Sequence, residues 1–450
     1  MILDVYLDPD PDPIGFLKRA ADGALSFAYR TAYAGRALSL SLPSDQGSFG
    51  DRATRGFFEN LLPEGDRRDA IAARARLSTA DVAGLLATIG RDCAGAVSVV
   101  PQGEHPIKVP GDLETDYRPI SEEQLRQDLE DLRRSRLPRS QVRFSLAGVQ
   151  SKMAVTIAPG AAGVILEPAA DAVTVPSTHI LKVSTRDHPA LVHNEYICLK
   201  TAAVLGLPVA SAEFRELHDH PILLVERFDR RIGGGTVSRL HQEDGCQALG
   251  LASSLKYQET AADPGEDGIF EEGAMRFEGP SLAAMNTLLR RTSRPALDRQ
   301  TLIKAAMLNF LLGNEDAHAK NYSFQHLDSG GVVMAPLYDL VCTARYEDFR
   351  HQDFALWIGS CRKPADLSAR HLHEMLQQLG IQPRAINRII EEDVRAMTAD
   401  VLIAFDRAVA AAPFPPISVE AVRDVVLARV DHLNRALGWD KVTREPYART

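Results

Sequence analysis

The feature that most constrains this chain is Gly313-Asn-Glu-Asp-Ala-His-Ala-Lys-Asn321, a polar segment that emerges from the nearly all-round apolar helical run Leu302 to Leu312. It leads into the strand-like Tyr322-Ser-Phe324, and Asp328-Ser-Gly-Gly331 then has hairpin-turn chemistry. Val332-Val-Met-Ala335 returns before Pro336-Leu-Tyr-Asp339. A hairpin that leaves at Asn321 and comes back near Pro336 has adjacent open ends, so Asp316, Asn321 and Asp339 can converge on one point.

Two carboxylates and an amide oxygen suit Mg²⁺, a hard cation that keeps waters and substrate phosphates in its remaining positions. They also suit phosphoryl transfer, which needs a carboxylate to position the attacking hydroxyl and an Asp plus an Asn to hold the metal. On this reading Asp316 is the base and Asn321 and Asp339 are the metal ligands. Asp and Asn also form turns and cap helices, so spacing alone leaves both roles open. His318 and Lys320 in the same segment could touch phosphate or simply face water.

Three further segments bear on nucleotide binding. Lys182 lies in the strand His179-Ile-Leu-Lys-Val183, where alternation places it opposite Leu181 and Val183. A lysine so placed can reach nucleotide phosphates and pair with a glutamate on the next helix, and Glu195 follows in a helical pattern. Leu223-Leu-Val-Glu-Arg-Phe228 reads as a strand ending at a hinge, where backbone groups of Glu226 and Phe228 could face an adenine. Phe144-Ser-Leu-Ala-Gly-Val-Gln-Ser-Lys152 is a Ser- and Gly-bearing segment able to wrap phosphates with backbone N–H groups, although it matches neither common glycine-rich phosphate-loop pattern.

The 450 residues suffice for two or three structural units, and 45% hydrophobic with 25% charged residues is an ordinary globular balance. The net charge of −9 argues against coating nucleic acid or anionic membrane by overall charge. The five cysteines are scattered and show no metal-ligand spacing, so they read as reduced core thiols of a cytoplasmic protein. No secretory signal opens the chain, and no run approaches the ~20 apolar residues that span a bilayer.

Residues 1–110 read as a small α+β unit with a strand-like Leu38-Ser-Leu-Ser-Leu42, helices at Arg55 to Leu61 and Asp66 to Leu77, and a closing strand at 94–100. Residues 111–228 read as a sheet-rich lobe, opened by a helix capped at Ser121 and containing a hairpin-like 163–184 and a helix at Leu191 to Leu205. Residues 229–450 read as a helical lobe with helices at 281–291, 298–312, 366–379, 384–410 and 418–437. The acidic, Gly-rich 260–279 reads as a mobile loop. The expected fold is therefore α+β, with a cleft between a sheet-rich and an all-helical lobe.

In this order, these segments resemble the HipA family of serine/threonine kinases, the toxin component of bacterial type II toxin and antitoxin systems. The agreement includes Phe57-Phe-Glu-Asn-Leu-Leu-Pro-Glu-Gly65, Gly90-Arg-Asp-Cys-Ala-Gly-Ala96, Ser145-Leu-Ala-Gly-Val-Gln-Ser-Lys152, Thr178-His-Ile-Leu-Lys182 and Asn194-Glu-Tyr196. It continues through Val225-Glu-Arg-Phe-Asp-Arg230, His241-Gln-Glu-Asp-Gly-Cys-Gln247, Gly313 to Asn321 and Leu337-Tyr-Asp-Leu340. The resemblance implies a two-lobed protein-kinase-like fold that uses ATP and Mg²⁺. It implies Asp316 as catalytic base, Asn321 and Asp339 on the metal, and Lys182 on the ATP phosphates. Around the nucleotide it implies Ala147, Gly148, Val149, Gln150, Ser151 and Lys152 in the loop, with Glu226 and Phe228 at the hinge. It adds Ser145 as an inhibitory autophosphorylation site, whose modification displaces the loop.

The family further implies a HipB-like antitoxin that carries the DNA-binding motif, so this acidic chain is not expected to read DNA itself. The implied target is an aminoacyl-tRNA synthetase, the glutamyl enzyme first, whose phosphorylation would stop translation. Asn314-Glu-Asp316 and Tyr338-Asp-Leu340 stand where ordinary protein kinases carry HRD and DFG, and this fits the family. The rival readings are a small-molecule phosphotransferase, a non-catalytic antitoxin-bound corepressor, and a purely structural ion at the hairpin.

Overall fold

The computed structural model describes residues 1–106, 110–136, 151–157, 164–169, 175–261, 276–349 and 352–439. The first unit is a five-stranded antiparallel sheet ordered β4-β3-β2-β1-β5, formed by β1 (Ile2–Leu7), β2 (Gly15–Arg19), β3 (Leu25–Tyr29), β4 (Ser48–Phe49) and β5 (Val97–Pro101). Helices α1 (Asp51–Phe58), α2 (Gly65–Ala75) and α3 (Val82–Ile89) cover it, around a core that includes Phe27, Phe57 and Phe58. The alternation at Leu38 to Leu42 does not make a strand. Only Ser39 and Leu42 form an isolated bridge. The pattern arises because Leu38 and Leu42 enter the first core, while Leu40 enters the core of the helical lobe.

A short connection, β6 (Gly111–Asp112) and β7 (Tyr117–Pro119), precedes α4 (Glu122–Arg133). Ser121 caps α4 by accepting the Gln124 N–H. The central sheet runs β11-β12-β10-β8-β9-β7, with β8 (Lys152–Ile157), β9 (Ile165–Pro168), β10 (His179–Val183), β11 (Ala212–Leu217) and β12 (His220–Glu226). The hairpin expected over 163–184 is absent, because β9 and β10 flank β8 on opposite sides. Period-two alternation divides the sheet's faces. Leu181, Val183, Ile222 and Leu224 pack on Leu125, Leu129 and Leu132 of α4. Lys182 stands opposite Leu223, on the other face, over α5 (Leu191–Val204).

The C-terminal lobe is helix-rich, but the all-helical expectation needs correction. It begins with β13 (Arg230–Gly233) and β14 (Thr236–Arg239), which join β6, and β15 (Gln242–Asp244) precedes α6 (Gly245–Leu249). The strands β16 (Glu259–Ala261) and β17 (Arg276–Glu278) pair with each other, and residues 262–275 of the stretch expected to be a mobile loop lie outside the described residues. Helices α7 (Leu282–Leu289) and α8 (Pro295–Leu312) then lead to β18 (Ser323–His326) and β19 (Val332–Met334), which pair as the sequence suggested, with β15 alongside β18. The strands β13 to β17 escaped the sequence reading because each spans only three or four residues. Helices α9 (Ala369–Gln378), α10 (Pro383–Ile389), α11 (Arg395–Ala410) and α12 (Glu420–Leu437) complete the lobe. The helix expected over 384–410 is interrupted by a π-helical turn at Ile390–Val394. All five cysteines are free and buried, and no described helix is long and apolar enough to cross a membrane.

Candidate active site

Helix α8 ends at Gly313, whose φ of +69° closes the helix in the left-handed region that glycine adopts without strain. A Cβ there would lie 2.5 Å from a Val425 methyl, so only glycine lets the chain turn this close to α12. The segment that follows is tied down by amides. Asn309 Nδ2 donates to the Tyr322 hydroxyl at 3.1 Å, Asn314 Nδ2 donates to Asn309 Oδ1 at 2.9 Å, and the Asp316 N–H donates to Asn314 Oδ1 at 3.3 Å. Asn321 Nδ2 donates to the Asp316 carbonyl at 3.0 Å, which leaves the amide oxygen of Asn321 as its remaining polar atom. The open ends of the hairpin meet where the Ala335 N–H donates to the Ser323 carbonyl at 2.8 Å.

Asp316 receives the hydroxyl of Tyr257 at 2.6 Å. Burial raises the Asp316 pKa above the ordinary carboxylate value, with Tyr257 and Lys256 opposing and Asp339 reinforcing the rise. Such a carboxylate is a better proton acceptor than one in water. Tyr257 and Lys256 were not singled out in the sequence. They lie 59 and 60 residues before Asp316, and no local spacing signals them.

Across the cleft, Lys182 Nζ donates to Glu195 Oε1 and to Asp339 Oδ1, both at 2.6 Å. Burial disfavours the charged lysine, but Asp339 and Glu195 outweigh it and raise its pKa. Burial would likewise raise Asp339, but Lys182 and Lys152 hold it down at about 2. Asp339 also has φ of +56°, a strained conformation for a non-glycine residue that costs on the order of 1–3 kcal/mol and tends to accompany function. Two bonds between the Asn194 amide and the Cys342 backbone, each 2.9 Å, fix the stretch after Asp339 to α5.

Lys152 opens β8 opposite Lys182, and burial lowers its pKa to about 8. Ser151 is described, whereas Ser145, Ala147, Gly148, Val149 and Gln150 lie outside the described residues. At the hinge, the Glu226 N–H goes to the Ser211 carbonyl at 2.8 Å and the Phe228 carbonyl accepts Gln325 Nε2 at 3.0 Å. His318 is buried against Tyr257, with ring centroids 5.3 Å apart, and burial lowers its pKa to about 3. Lys320 faces away from these groups. Its ammonium donates to Asn60 Oδ1 and Asp244 Oδ2, both at 2.7 Å, so it ties the first unit to the helical lobe.

Other residues of the quoted motifs form a polar seam. Arg227 holds Asp229 through Nε at 2.9 Å and Nη2 at 2.8 Å, and Asp229 Oδ2 also takes the Gly95 N–H at 2.9 Å. Arg230 Nη1 donates to the Gly95 carbonyl at 3.0 Å, and Arg239 Nε donates to Asp92 Oδ1 at 3.0 Å. Gly56 and Gly250 meet so closely that a Cβ on Gly56 would lie 2.4 Å from the Gly250 backbone.

Two family models match the chain. Residues 3–100 match the model of the HipA N-terminal domain, and residues 144–401 match that of the HipA-like C-terminal domain. The chain is 35% identical over 385 residues to the putative kinase Y4mE of Sinorhizobium fredii, covering 84% of this chain and 86% of that one. It is 34% identical over 348 residues to the serine/threonine-protein kinase toxin HipA of Shewanella oneidensis, covering 76% and 75% of the two chains. Its fold superposes with a TM-score of 0.77 and 29% identity on a chain from the Shewanella oneidensis complex of HipA, HipB and operator DNA, covering 97% of this chain and 98% of that one. A lysine–glutamate pair beneath a cleft, an Asp and an Asn five residues apart, and family models over both halves lead to one conclusion: the chain belongs to the HipA family of serine/threonine kinases.

Proposed function

We propose that this kinase transfers the γ-phosphate of ATP to serine or threonine with Asp316 as the general base. The observation that carries the reading is Lys182, bonded to Glu195 and Asp339 at 2.6 Å each, on the sheet above the Asp316 loop. Lys182 is placed to pair with nucleotide phosphates, and Lys152 adds positive charge beside it. The adenine would meet the Glu226 carbonyl and the Phe228 N–H, since the other two backbone groups already have partners. Lys320 is not needed as a phosphate contact, because its ammonium is bonded to Asn60 and Asp244.

The residues fit a magnesium ion. Asp339 is a carboxylate held ionised, and Asn321 offers its amide oxygen. Two hard oxygen donors leave positions for water and phosphate. When bound, the ion would neutralise charge on the β- and γ-phosphates. Asp316 accepts the proton of the attacking hydroxyl, with Tyr257 orienting its carboxylate.

By likeness to the Shewanella oneidensis toxin, the biological role proposed is that of a cytoplasmic toxin restrained by a HipB-like antitoxin. Its proposed target is an aminoacyl-tRNA synthetase, the glutamyl enzyme first, with phosphorylation of Ser145 turning the kinase off. Phosphosite mapping by mass spectrometry after incubation with Mg²⁺ and ATP tests this. Phosphate on Ser145 in the wild type and none in Asp316→Ala is expected; phosphate at equal occupancy in both would refute the role of Asp316.

A further inference from the structure

The motif Phe57 to Gly65 lies in the first unit, far in sequence from the catalytic loop, yet its polar side chains end there. Glu64, the N-cap residue of α2, accepts Lys256 Nζ on Oε2 at 2.7 Å, and its Oε1 lies 3.8 Å from Lys320 Nζ. Asn60 takes Lys320 at 2.7 Å. The Lys256 carbonyl accepts the Ala319 N–H at 3.1 Å, and the next residue, Tyr257, donates to Asp316. Lys256, beside the loop that carries the base, is therefore held by a carboxylate of another unit, and the second oxygen of that carboxylate lies near Lys320. The same turn touches the opposite lobe, where Arg67 Nη1 lies 3.5 Å from the Lys152 carbonyl.

We infer that Glu64 is a positioning residue for phosphoryl transfer: it holds Lys256 away from Asp316 and fixes the loop, so that the first unit completes the active site. The physical reason is competition between carboxylates. Lys256 already interacts electrostatically with Asp316, and it is largely enclosed, with 12% of its side chain exposed. Without Glu64 its ammonium has Asp316 as a neighbouring counter-ion, and a base locked in an ion pair cannot meet the acceptor hydroxyl. Misplacement on this scale costs up to about a hundredfold in rate.

The inference rests on the kinase reading, and the experiment separates the two. Single-turnover autophosphorylation of the full chain with MgATP gives a rate constant and a half-saturating ATP concentration for the wild type, Glu64→Gln, Glu64→Asp, Lys256→Met and the double variant Glu64→Gln/Lys256→Met. Glu64→Gln should slow transfer about ten- to a hundredfold with half-saturation within about twofold, and Glu64→Asp should recover most of the rate. The double variant should be faster than Glu64→Gln, because the competing lysine is gone. A Glu64→Gln rate equal to wild type, or a loss that follows the melting temperature and is not relieved in the double variant, overturns the inference and leaves the kinase reading intact. No transfer by the wild type overturns both.

Discussion

The polar seam and the cleft are both buried charge clusters, and they differ in what their carboxylates have left to give. In the seam, Asp229 is gripped by Arg227 and Arg230 and takes a backbone N–H as well, and the two guanidiniums lower its pKa against the cost of burial. In the cleft, Asp339 is also lowered, by Lys182 and Lys152, but its partners are ammonium groups able to turn to phosphate. Asp316 is raised, and among the described residues its carboxylate takes one hydroxyl. A displaced pKa therefore does not mark the site. What marks it is unspent hydrogen-bonding capacity, carried on a backbone turned into an unfavourable region at Asp339.

The comparison breaks most sharply at Asp339. Asn tolerates the left-handed backbone there better than other non-glycine residues, so Asp339→Asn should keep the fold. It should lower phosphate transfer by about a thousandfold, of the order seen when a charged stabiliser of phosphoryl transfer is lost. Transfer within tenfold of wild type at saturating Mg²⁺ would remove Asp339 from the metal site.

The seam should behave the opposite way. Asp229→Asn leaves two buried guanidiniums without their shared counter-ion, and breaking such a pair costs about 3–5 kcal/mol. Denaturant unfolding should show that loss, with ATP affinity per folded molecule unchanged. Wild-type stability in this variant would mean that the seam holds little of the fold together.

A smaller effect follows from His318, whose pKa burial lowers from 6.5 to about 3. Between those values the unfolded chain binds a proton that the folded chain does not, so stability falls as pH drops through the window. His318→Gln removes that proton. Its unfolding free energy should decline less steeply between pH 6.5 and 5, by at most about 1.4 kcal/mol per pH unit. Parallel slopes for the two proteins would contradict burial as the cause.

Much of the cleft was legible because its signals are local. The five-residue step from Asp316 to Asn321, the turn at 328–331, and Lys182 alternating out of an apolar strand are each set by chain geometry within a few residues. The partners that tune these groups are not local. Tyr257 reaches Asp316 across 59 residues, and Asn60 reaches Lys320 across 260. Lys320 shows the cost of that blindness: beside Asn321 it reads as a phosphate contact or a solvated lysine, and the structure gives its ammonium to Asn60 and Asp244. Likewise Leu38 to Leu42 alternates like a strand because it is wedged between two cores, and periodicity cannot distinguish those origins.

The most direct test measures γ-phosphate transfer from ATP to serine or threonine by the wild type and Asp316→Asn, purified together and shown to melt within about 2 °C of each other, a difference small against single-mutation effects. Transfer by the wild type, and a loss of at least about a hundredfold in the variant with ATP binding retained, is expected for a general base. Equal rates in the two proteins would contradict catalysis by Asp316.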